Sequence, residues 1–415
     1  MNADRIAILI SVEFFQDWQY ARRVARVVGA RTLHWRTKII HSAPRVPQGF
    51  RSPATPVPRG STVLFDRHSD VIDQWEAENG YSYGLYGTPA ALELGARIAE
   101  LEGARHSFVV PGSQAAIAVA NLSSCKGGRH ALVPHNACGP NRDMAGGLLR
   151  ALGFEVQAYD PLIGADIAAL IRPETTLIWC ESPVSITMEV QDIPAIVSAA
   201  RQRDVTVALD NTYSAGVLLD AFALGVDISI QALTNYVSGH SDLLLGTVSV
   251  RDDRMYEAVG AVWHHLGMTV SPDDCGLALH GLQTLGVRLE RLERSALEIA
   301  KWLAHRPEIA RVLHPALPSC PGHENWLRDF KGSASVFSVV FDRRYSSAQV
   351  RAFVAALSLF RVGFSWGGAA SLAVAYSDLE RPGVDYDGRL VRLNVGLEEV
   401  VDLQADLESG FAALG

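Results

Sequence analysis

The sequence predicts an α/β protein with a large, mostly parallel sheet and a smaller C-terminal α/β domain. From about residue 88, short apolar runs alternate regularly with segments of helical periodicity. An amphipathic segment at residues 272–305 leads into further apolar runs and a last helical segment near 401–414. The chain has 415 residues, 48% of them hydrophobic, which suffices for a large core and two domains.

The N-terminal region differs from the rest of the chain in its residue pattern. Residues 1–35 predict an arginine-bearing helix attached to the front of the main fold. Residues 40–60 hold five prolines, which exclude a regular helix or a central strand, so we expect an extended arm lying on another surface. We therefore divide the chain into an N-terminal helix and arm (1–65), a large domain (66–285) and a C-terminal domain (286–415).

The central part of the chain alternates between predicted strands and predicted helices. The strands are "SFVVPG", "HALVPH", "EVQAYD", "TTLIWCES" and "VTVALDN", and the helices are "ALELGARIAELEG", "QAAIAVANLSS", "RDMAGGLLRALG", "ADIAALIR" and "IPAIVSAARQRD". Such alternation predicts parallel strands with helices on both faces of the sheet. Ligands of such sheets bind at the carboxyl ends of the strands, which here carry "PGSQ", "PHNACGP", "ESP", "DNTY" and "TNY".

Composition excludes several classes of protein. The formal net charge is −8 and no run of lysine or arginine occurs, so we expect no nucleic-acid partner. No apolar stretch reaches about 18 residues, so we expect no membrane span. Five cysteines without a C-x-x-C pair predict free thiols in a reducing cytoplasm. His264 and His265 are adjacent and point apart on a helix, so we predict no metal site.

Segments spread along the chain resemble one enzyme family. They include, in order, "YSYGLYGTP", "ELGARIAELEG", "YDPLIGADIAALIRP", "ESPVSITMEVQDIPAI", "LDNTY", "QALTNYVSGHSD", "FSWGG" and "VRLNVGLE". From about residue 37 to the C-terminus the chain resembles the cystathionine β-lyases, which belong to the Cys/Met-metabolism group of fold-type-I pyridoxal-phosphate enzymes. The resemblance implies that fold, a pyridoxal phosphate site, an amino-acid-like substrate and a homotetramer.

The resemblance also implies a set of site residues. The cofactor-binding positions are Gly112, Ser113, Gln114, Asp210 and Thr234, and the positions that line the substrate site are Tyr83, Ser365, Trp366 and Arg392. Asp210 matches the carboxylate that pairs with the pyridine nitrogen. An aspartate at a strand end is equally typical of a turn or a helix cap. Arg392 matches the arginine that binds the substrate carboxylate, for which a guanidinium is suited by its bidentate geometry.

The chain departs from the family at the position that matters most for catalysis. The Schiff-base lysine falls at Asn235, and an amide is neither a nucleophilic amine nor a useful base. The four lysines of the chain cannot replace it by sequence position. They are Lys38, Lys126, Lys301 and Lys331.

Other departures surround the same site. Leu85 stands where the family places an arginine on the cofactor phosphate of a neighbouring subunit, and Cys138 stands where it places a ring-stacking tyrosine. The family's Ser-Gly pair before the phosphate-binding helix occurs in reversed order, as Gly112 and Ser113. After "WGG", alanines occupy positions 369 and 370, where the family tends to carry a larger residue and an acid.

Three functions are compatible with this pattern. The first is an enzyme diverged to a non-standard reaction on an amino-acid-like or sulfur-containing substrate, with either Asn235, Tyr83 or Cys138 contributing to catalysis. The second is a non-catalytic homologue that binds or senses a small ligand. The third is a working carbon–sulfur lyase in which Asn235 was introduced to trap an intermediate. In each case we expect pyridoxal phosphate to be held non-covalently or not at all.

Overall fold

A computed structural model describes residues 34–41, 53–65, 67–71, 81–124, 129–379 and 381–415. The first sheet of the described chain consists of β1 (His106–Val110), β2 (His130–Pro134), β3 (Glu155–Tyr159), β4 (Thr175–Glu181), β5 (Thr206–Asp210), β6 (Ile228–Ala232) and β7 (Gly246–Val250). The predicted helix over residues 1–35 lies outside the described residues except for its last two positions. Residues 53–61 of the predicted arm contain no helix or strand, as their prolines require.

The order of strands in this sheet is β1-β7-β6-β5-β4-β2-β3. Strands β2 to β6 are parallel, and β7 runs antiparallel to both of its neighbours. The prediction of a mostly parallel sheet is therefore confirmed. Because β2, β4, β5 and β6 point the same way, their carboxyl ends and the loops that follow them meet at one edge.

The helices and 3-10 turns cover both faces of the sheet. The α-helices in the described residues are α1 (Trp35–His41), α2 (Pro89–Glu102), α3 (Ser113–Ser123), α4 (Gly139–Met144), α5 (Ile193–Arg201), α6 (Asp253–His265), α7 (Pro272–Gln283), α8 (Leu285–Leu303), α9 (His323–Asp329), α10 (Ser347–Ala356) and α11 (Val400–Ala412). Alternate residues of β4 enter different hydrophobic clusters, since Leu177 and Trp179 face α3 and α6 whereas Ile178 and Cys180 face α5.

The structure defines two of the predicted segments more closely. "ADIAALIR" forms a 3-10 helix over Gly164–Ala169, because the segment is short and Pro173 prevents the chain from continuing as a helix. The amphipathic segment at residues 272–305 forms two helices, α7 and α8. They separate at Thr284, whose backbone leaves the helical region and whose hydroxyl donates a hydrogen bond to the Gly281 carbonyl.

The C-terminal part of the chain folds around a second sheet. It contains β8 (Ile309–Leu313), β9 (Val336–Phe341), β10 (Arg361–Val362), β11 (Leu372–Tyr376) and β12 (Leu390–Asn394), in the order β10-β11-β12-β9-β8. Helices α10 and α11 pack on it through Phe353 and Phe411. The predicted boundary near residue 286 coincides with the start of α8, while the division into domains stays a prediction. Among the described helices, none has the length and hydropathy needed to cross a membrane.

Candidate functional site

Two carboxylates lie side by side at the carboxyl edge of the large sheet. Glu181 ends β4 and Asp210 ends β5, and the two residues are direct neighbours in the parallel register of these strands. The Asp210 Oδ1 atom accepts hydrogen bonds from the Thr212 backbone nitrogen at 3.0 Å and from the Thr212 hydroxyl at 2.5 Å. Both side chains point to the face that carries α3, α4 and α6, because they share the parity of Trp179 and Ala208.

Cys138 completes this carboxylate cluster. It is the residue before α4, and its backbone nitrogen donates a 2.7 Å hydrogen bond to Oε2 of Glu181. The Cys138 Sγ atom and a carboxylate oxygen of each of Glu181 and Asp210 all lie within 4.8 Å of one another. When deprotonated, this donor set suits a divalent cation, and its carboxylates equally suit a protonated ring nitrogen.

Burial controls the protonation of the cluster. Burial, and then the neighbouring Asp210 carboxylate, raise the pKa of Glu181 to about 8, so this carboxyl holds a proton at neutral pH. Burial also raises the pKa of Asp210. Burial and the two carboxylates raise the pKa of the Cys138 thiol well above its ordinary value, which makes it a neutral group instead of a nucleophilic thiolate.

Asn235 lies on the loop that follows β6 and is connected to the cluster through the backbone. The Thr212 hydroxyl, which donates to Asp210, also accepts a 2.9 Å hydrogen bond from the nitrogen of Ala232 at the end of β6. Asn235 follows three residues later and is only 6% exposed. Its Nδ2 atom donates a 2.9 Å hydrogen bond to the carbonyl of Trp366 in the C-terminal part of the chain.

Thr234 forms hydrogen bonds within its own loop, and the described lysines lie away from the carboxylate cluster. The Thr234 hydroxyl donates to the Leu245 carbonyl and accepts from the Leu245 nitrogen, so in this structure it holds together the two ends of the loop between β6 and β7. Lys38 pairs with Glu100 at 3.7 Å, and Lys301 lies in the last turn of α8. Lys331 lines a cavity of about 350 Å³ beside α1 and α2. None of these three positions belongs to the carboxylate cluster.

The predicted phosphate-binding segment lies at the start of α3. Gly112 has φ = +111° in the left-handed half of backbone space, which favours glycine, and a Cβ atom there would face open space. Gln114 reaches across to the Cys138 loop, where its Nε2 atom donates to the Pro140 carbonyl at 3.3 Å. The nitrogen atoms of Ser113 and Gln114 belong to the first turn of the helix, which favours an anion.

The C-terminal sheet supplies the predicted substrate-binding residues. Arg392 lies on β12 and is 7% exposed, and its Nη2 atom donates to the Ser365 carbonyl at 3.3 Å. Its guanidinium lies 5.8 Å from the ring of Tyr376, and no carboxylate of the described residues acts on its charge. Burial lowers the pKa of Arg392. A buried cation without a counter-ion favours an anionic ligand. Ser365 and Trp366 lie on the β10–β11 connection.

Tyr83 and Leu85 are not brought to the cluster within one chain. The Tyr83 side chain is 48% exposed, and its backbone forms an isolated bridge with Thr62. Leu85 lines an apolar cavity of about 220 Å³ together with Trp263 and Met268. Their expected contribution to a neighbouring subunit stays a prediction.

One member of the cluster was missed in the sequence. In the sequence, Glu181 stands out only as part of "ESP" at a strand end. The alternation of "TTLIWCE" and "VTVALD" places Glu181 and Asp210 on the same face if the two strands pair in register, and that register could have identified the pair.

Comparison with known proteins gives a consistent result. A family model described as "Cys/Met metabolism PLP-dependent enzyme" matches residues 36–412. The chain is 40% identical over 368 residues to a cystathionine beta-lyase of Escherichia coli, covering 86% of this chain and 93% of that protein. It is 34% identical over 374 residues to an L-alanine/L-glutamate racemase of Wolbachia pipientis, covering 86% and 92% of the two chains.

A solved structure shows the same fold. The cystathionine gamma synthase of Xanthomonas oryzae, in complex with aminoacrylate and cysteine, superimposes with a TM-score of 0.84 and 26% sequence identity. The match covers 92% of this chain and 99% of that one. The two-sheet architecture predicted from the resemblance, the fold-type-I fold, is therefore confirmed. This chain belongs to the Cys/Met-metabolism family of pyridoxal-phosphate-dependent enzymes and is cystathionine beta-lyase-like.

Proposed function

We propose that this protein binds an amino-acid-like or sulfur-containing small molecule in sulfur amino-acid metabolism and has diverged from lysine-based lyase chemistry. The observation that supports the proposal is Asn235, which occupies the position that the resemblance assigns to the Schiff-base lysine. Its amide is buried and hydrogen-bonded to the Trp366 carbonyl. A neutral amide offers neither a covalent attachment point nor a base for the substrate's α-proton.

Arg392 supplies the ligand recognition. Its guanidinium is buried, carries its charge without a carboxylate partner among the described residues, and lies next to the exposed Ser365. A ligand carboxylate would satisfy that charge with charge-assisted hydrogen bonds. This requirement favours an amino acid, or a thioether built from amino acids, over a neutral metabolite.

The residues at the sheet edge fit part of a pyridoxal phosphate site. Asp210 and Glu181 would hold the ring nitrogen, and the first turn of α3, beginning at Gly112, would receive the phosphate. Bound there, the cofactor would supply an electron sink. The described lysines offer no covalent attachment at Asn235, so the cofactor is held non-covalently or not at all.

The protonation of the cluster determines what the chain itself can do. Because the pKa of Glu181 is about 8, its carboxyl can donate a proton at neutral pH and accept one back. Cys138 stays neutral and fills space over the cluster. Any proton transfer that this cluster provides would therefore go through its carboxyl groups and not through the Cys138 thiol.

A non-catalytic ligand-binding protein is the second candidate. It is favoured by the raised pKa of the Cys138 thiol, since the cluster then contains no thiolate nucleophile at neutral pH. A lyase trapped by a single substitution at position 235 is less compatible with the sequence. Leu85 and Cys138 depart from the family pattern as well, and a trapping change would leave them alone.

Trapping of the cofactor with borohydride, combined with a lyase assay, tests the proposal. The purified protein is mixed with pyridoxal phosphate, treated with borohydride and analysed by mass spectrometry, and it is assayed with L-cystathionine for pyruvate. We expect no lysine-linked adduct in the cleft and no pyruvate formation at a rate typical of a lyase. A reduced adduct on a lysine of the cleft, accompanied by pyruvate, would overturn the proposed divergence.

A further inference from the structure

The turn at residues 365–367 has a backbone conformation that must be held in place. Ser365 has φ = +76° and Gly367 has φ = +83°. The left-handed region suits glycine, whereas a serine there has a free-energy cost because of its Cβ atom. The side chain of Ser365 is exposed, so the packing of its own side chain does not supply that free energy.

Three side chains hold this turn, one for each residue. The guanidinium of Arg392 donates to the Ser365 carbonyl at 3.3 Å, and the amide of Asn235 donates to the Trp366 carbonyl at 2.9 Å. The Oδ1 atom of Asn394 accepts from the Gly367 nitrogen at 2.8 Å. Arg392 and Asn394 lie on the same strand, β12, whereas Asn235 comes from the loop after β6.

The Asn235 side of this contact is itself rigid. The Asn235 nitrogen donates to the Ala232 carbonyl at 3.2 Å, and its carbonyl accepts from the Gly239 nitrogen at 2.8 Å. The next residue, Tyr236, packs edge-on against the ring of Trp366 at a centroid distance of 5.3 Å. The amide therefore extends from a fixed loop to a turn that needs external support.

We propose that Asn235 is a positioning residue that fastens the 365–367 turn to the loop after β6 and thereby presents Arg392 to the carboxylate of a ligand. Arg392 donates to the carbonyl adjacent to the one that Asn235 holds, so a shift of the turn moves the acceptor of the guanidinium. The ligand part of this proposal rests on the proposed function. The fastening of the turn does not.

The substitution Asn235→Asp gives a test that a merely structural role would not pass. An ionised aspartate cannot donate to the Trp366 carbonyl, whereas a protonated one can. Burial raises the pKa of such a carboxyl, so the switch falls within an accessible pH range. Hydrogen exchange of the peptide covering 361–371 is measured at pH 5.5 and 8.5, corrected for intrinsic exchange. We expect protection near that of the unaltered protein at pH 5.5 and about tenfold less at pH 8.5.

Ligand binding provides the second readout. L-cysteine and cysteamine, which differ by the carboxylate, are titrated calorimetrically under reducing conditions. We expect the unaltered protein to prefer L-cysteine, and Asn235→Asp to lose about tenfold in affinity at pH 8.5 relative to pH 5.5. Asn235→Ala should lose affinity at both pH values. Because alanine introduces no charge, Asn235→Ala shows the effect of losing the donor without any attraction between an introduced aspartate and Arg392.

Asn325→Asp is the matched control. Asn325 also donates from its side-chain amide to a backbone carbonyl, that of Val190 at 3.1 Å, but it belongs to α9. The Asn325→Asp substitution should leave both the hydrogen exchange of residues 361–371 and the affinity for L-cysteine unchanged. Unaltered exchange at 361–371 in both Asn235 variants would overturn the fastening. Altered exchange together with no preference for L-cysteine in the unaltered protein would retain the fastening and overturn the carboxylate role of Arg392.

Discussion

Glu181 shows how one buried carboxyl gives this site a pH dependence. The folded protein raises its pKa to about 8, while an unfolded glutamate titrates near about 4.3. Between these values the folded state holds a proton that the unfolded chain has released. The free energy of unfolding therefore falls as the pH rises from about 4.3 to 8, by up to about 1.4 kcal/mol per pH unit.

We predict that Glu181→Gln removes this pH dependence. The amide oxygen can still accept the hydrogen bond from the Cys138 nitrogen, but the side chain no longer ionises. Urea unfolding at pH 5 and pH 8.5 measures the change. The free energy of unfolding of the variant, minus that of the unaltered protein, should be larger at pH 8.5 than at pH 5. The exposed Glu324→Gln serves as the control and should change the free energy of unfolding by less than about 0.5 kcal/mol at either pH. Parallel curves for Glu181→Gln and the unaltered protein would contradict the prediction.

Asn235, Leu85 and Cys138 should act together in any return to lyase chemistry. We predict that Asn235→Lys alone will not restore efficient cystathionine cleavage. The phosphate would still lack charge-assisted hydrogen bonds, worth roughly 1.5–3 kcal/mol each, and the ring an aromatic contact of about 0.5–1.5 kcal/mol. The triple variant with Leu85→Arg and Cys138→Tyr should recover far more pyruvate formation, measured at saturating cofactor. If the single variant came within about tenfold of the triple, the idea of a remodelled cleft would fail.

At the scale of elements, α8 clamps the loop that carries Asn235. The buried Arg288 in its first turns donates to the carbonyls of Tyr236 at 2.6 Å and Val237 at 3.1 Å. It also donates to the Gly281 carbonyl at 2.7 Å, near the end of α7. One guanidinium thus satisfies three carbonyl groups from two elements that meet where the long amphipathic segment breaks.

We predict that Arg288→Met lowers the free energy of unfolding by about 2–4 kcal/mol, because it leaves buried carbonyl groups without donors. Chemical denaturation measures the change. Arg294→Met is the control on the same helix, where the arginine is exposed, and it should change stability by less than about 0.5 kcal/mol. Equal effects of the two substitutions would show that the loop does not depend on this clamp.

At the scale of the whole molecule, exposed apolar side chains favour assembly into an oligomer. Tyr83 is half-exposed in the single chain, and the resemblance places its segment at the site of a neighbouring subunit. Leu64, two residues after the Thr62 that bridges to Tyr83, is 90% exposed. Apolar side chains exposed in this way favour a covering surface.

We predict a homotetramer built from dimers, which is a common closed symmetry for such chains. Light scattering at micromolar concentration should give about four times the 44.9 kDa mass of one chain. The replacement Leu64→Glu should shift the molecules towards smaller species, whereas Leu327→Glu on the exposed side of α9 is the comparison and should not. A stable monomer under these conditions would refute the prediction.

Most of the fold was predictable because local patterns agree with it. The predicted alternation of strands and helices from residue 88 to 211 appears in the structure, apart from the 3-10 helix at Gly164–Ala169 and a π-helical turn at Ala145–Leu149. Gly103 ends α2 in the left-handed conformation typical of glycine. The pairing of Glu181 with Asp210 was harder to predict. It depends on register between β4 and β5, which packing sets and which the periodicity of one strand does not reveal.

The sequence by itself determined the family, the parallel core and the identity of residue 235, because these depend on residue types and their order along the chain. Tertiary structure decided that Asn235 donates to the Trp366 carbonyl, 131 residues away. It also decided that Glu181 carries a proton near neutral pH, since desolvation and a neighbouring charge exist only once β4 and β5 lie side by side. Contacts between distant segments have no signature in either segment alone, because each segment's propensity is the same with or without its partner.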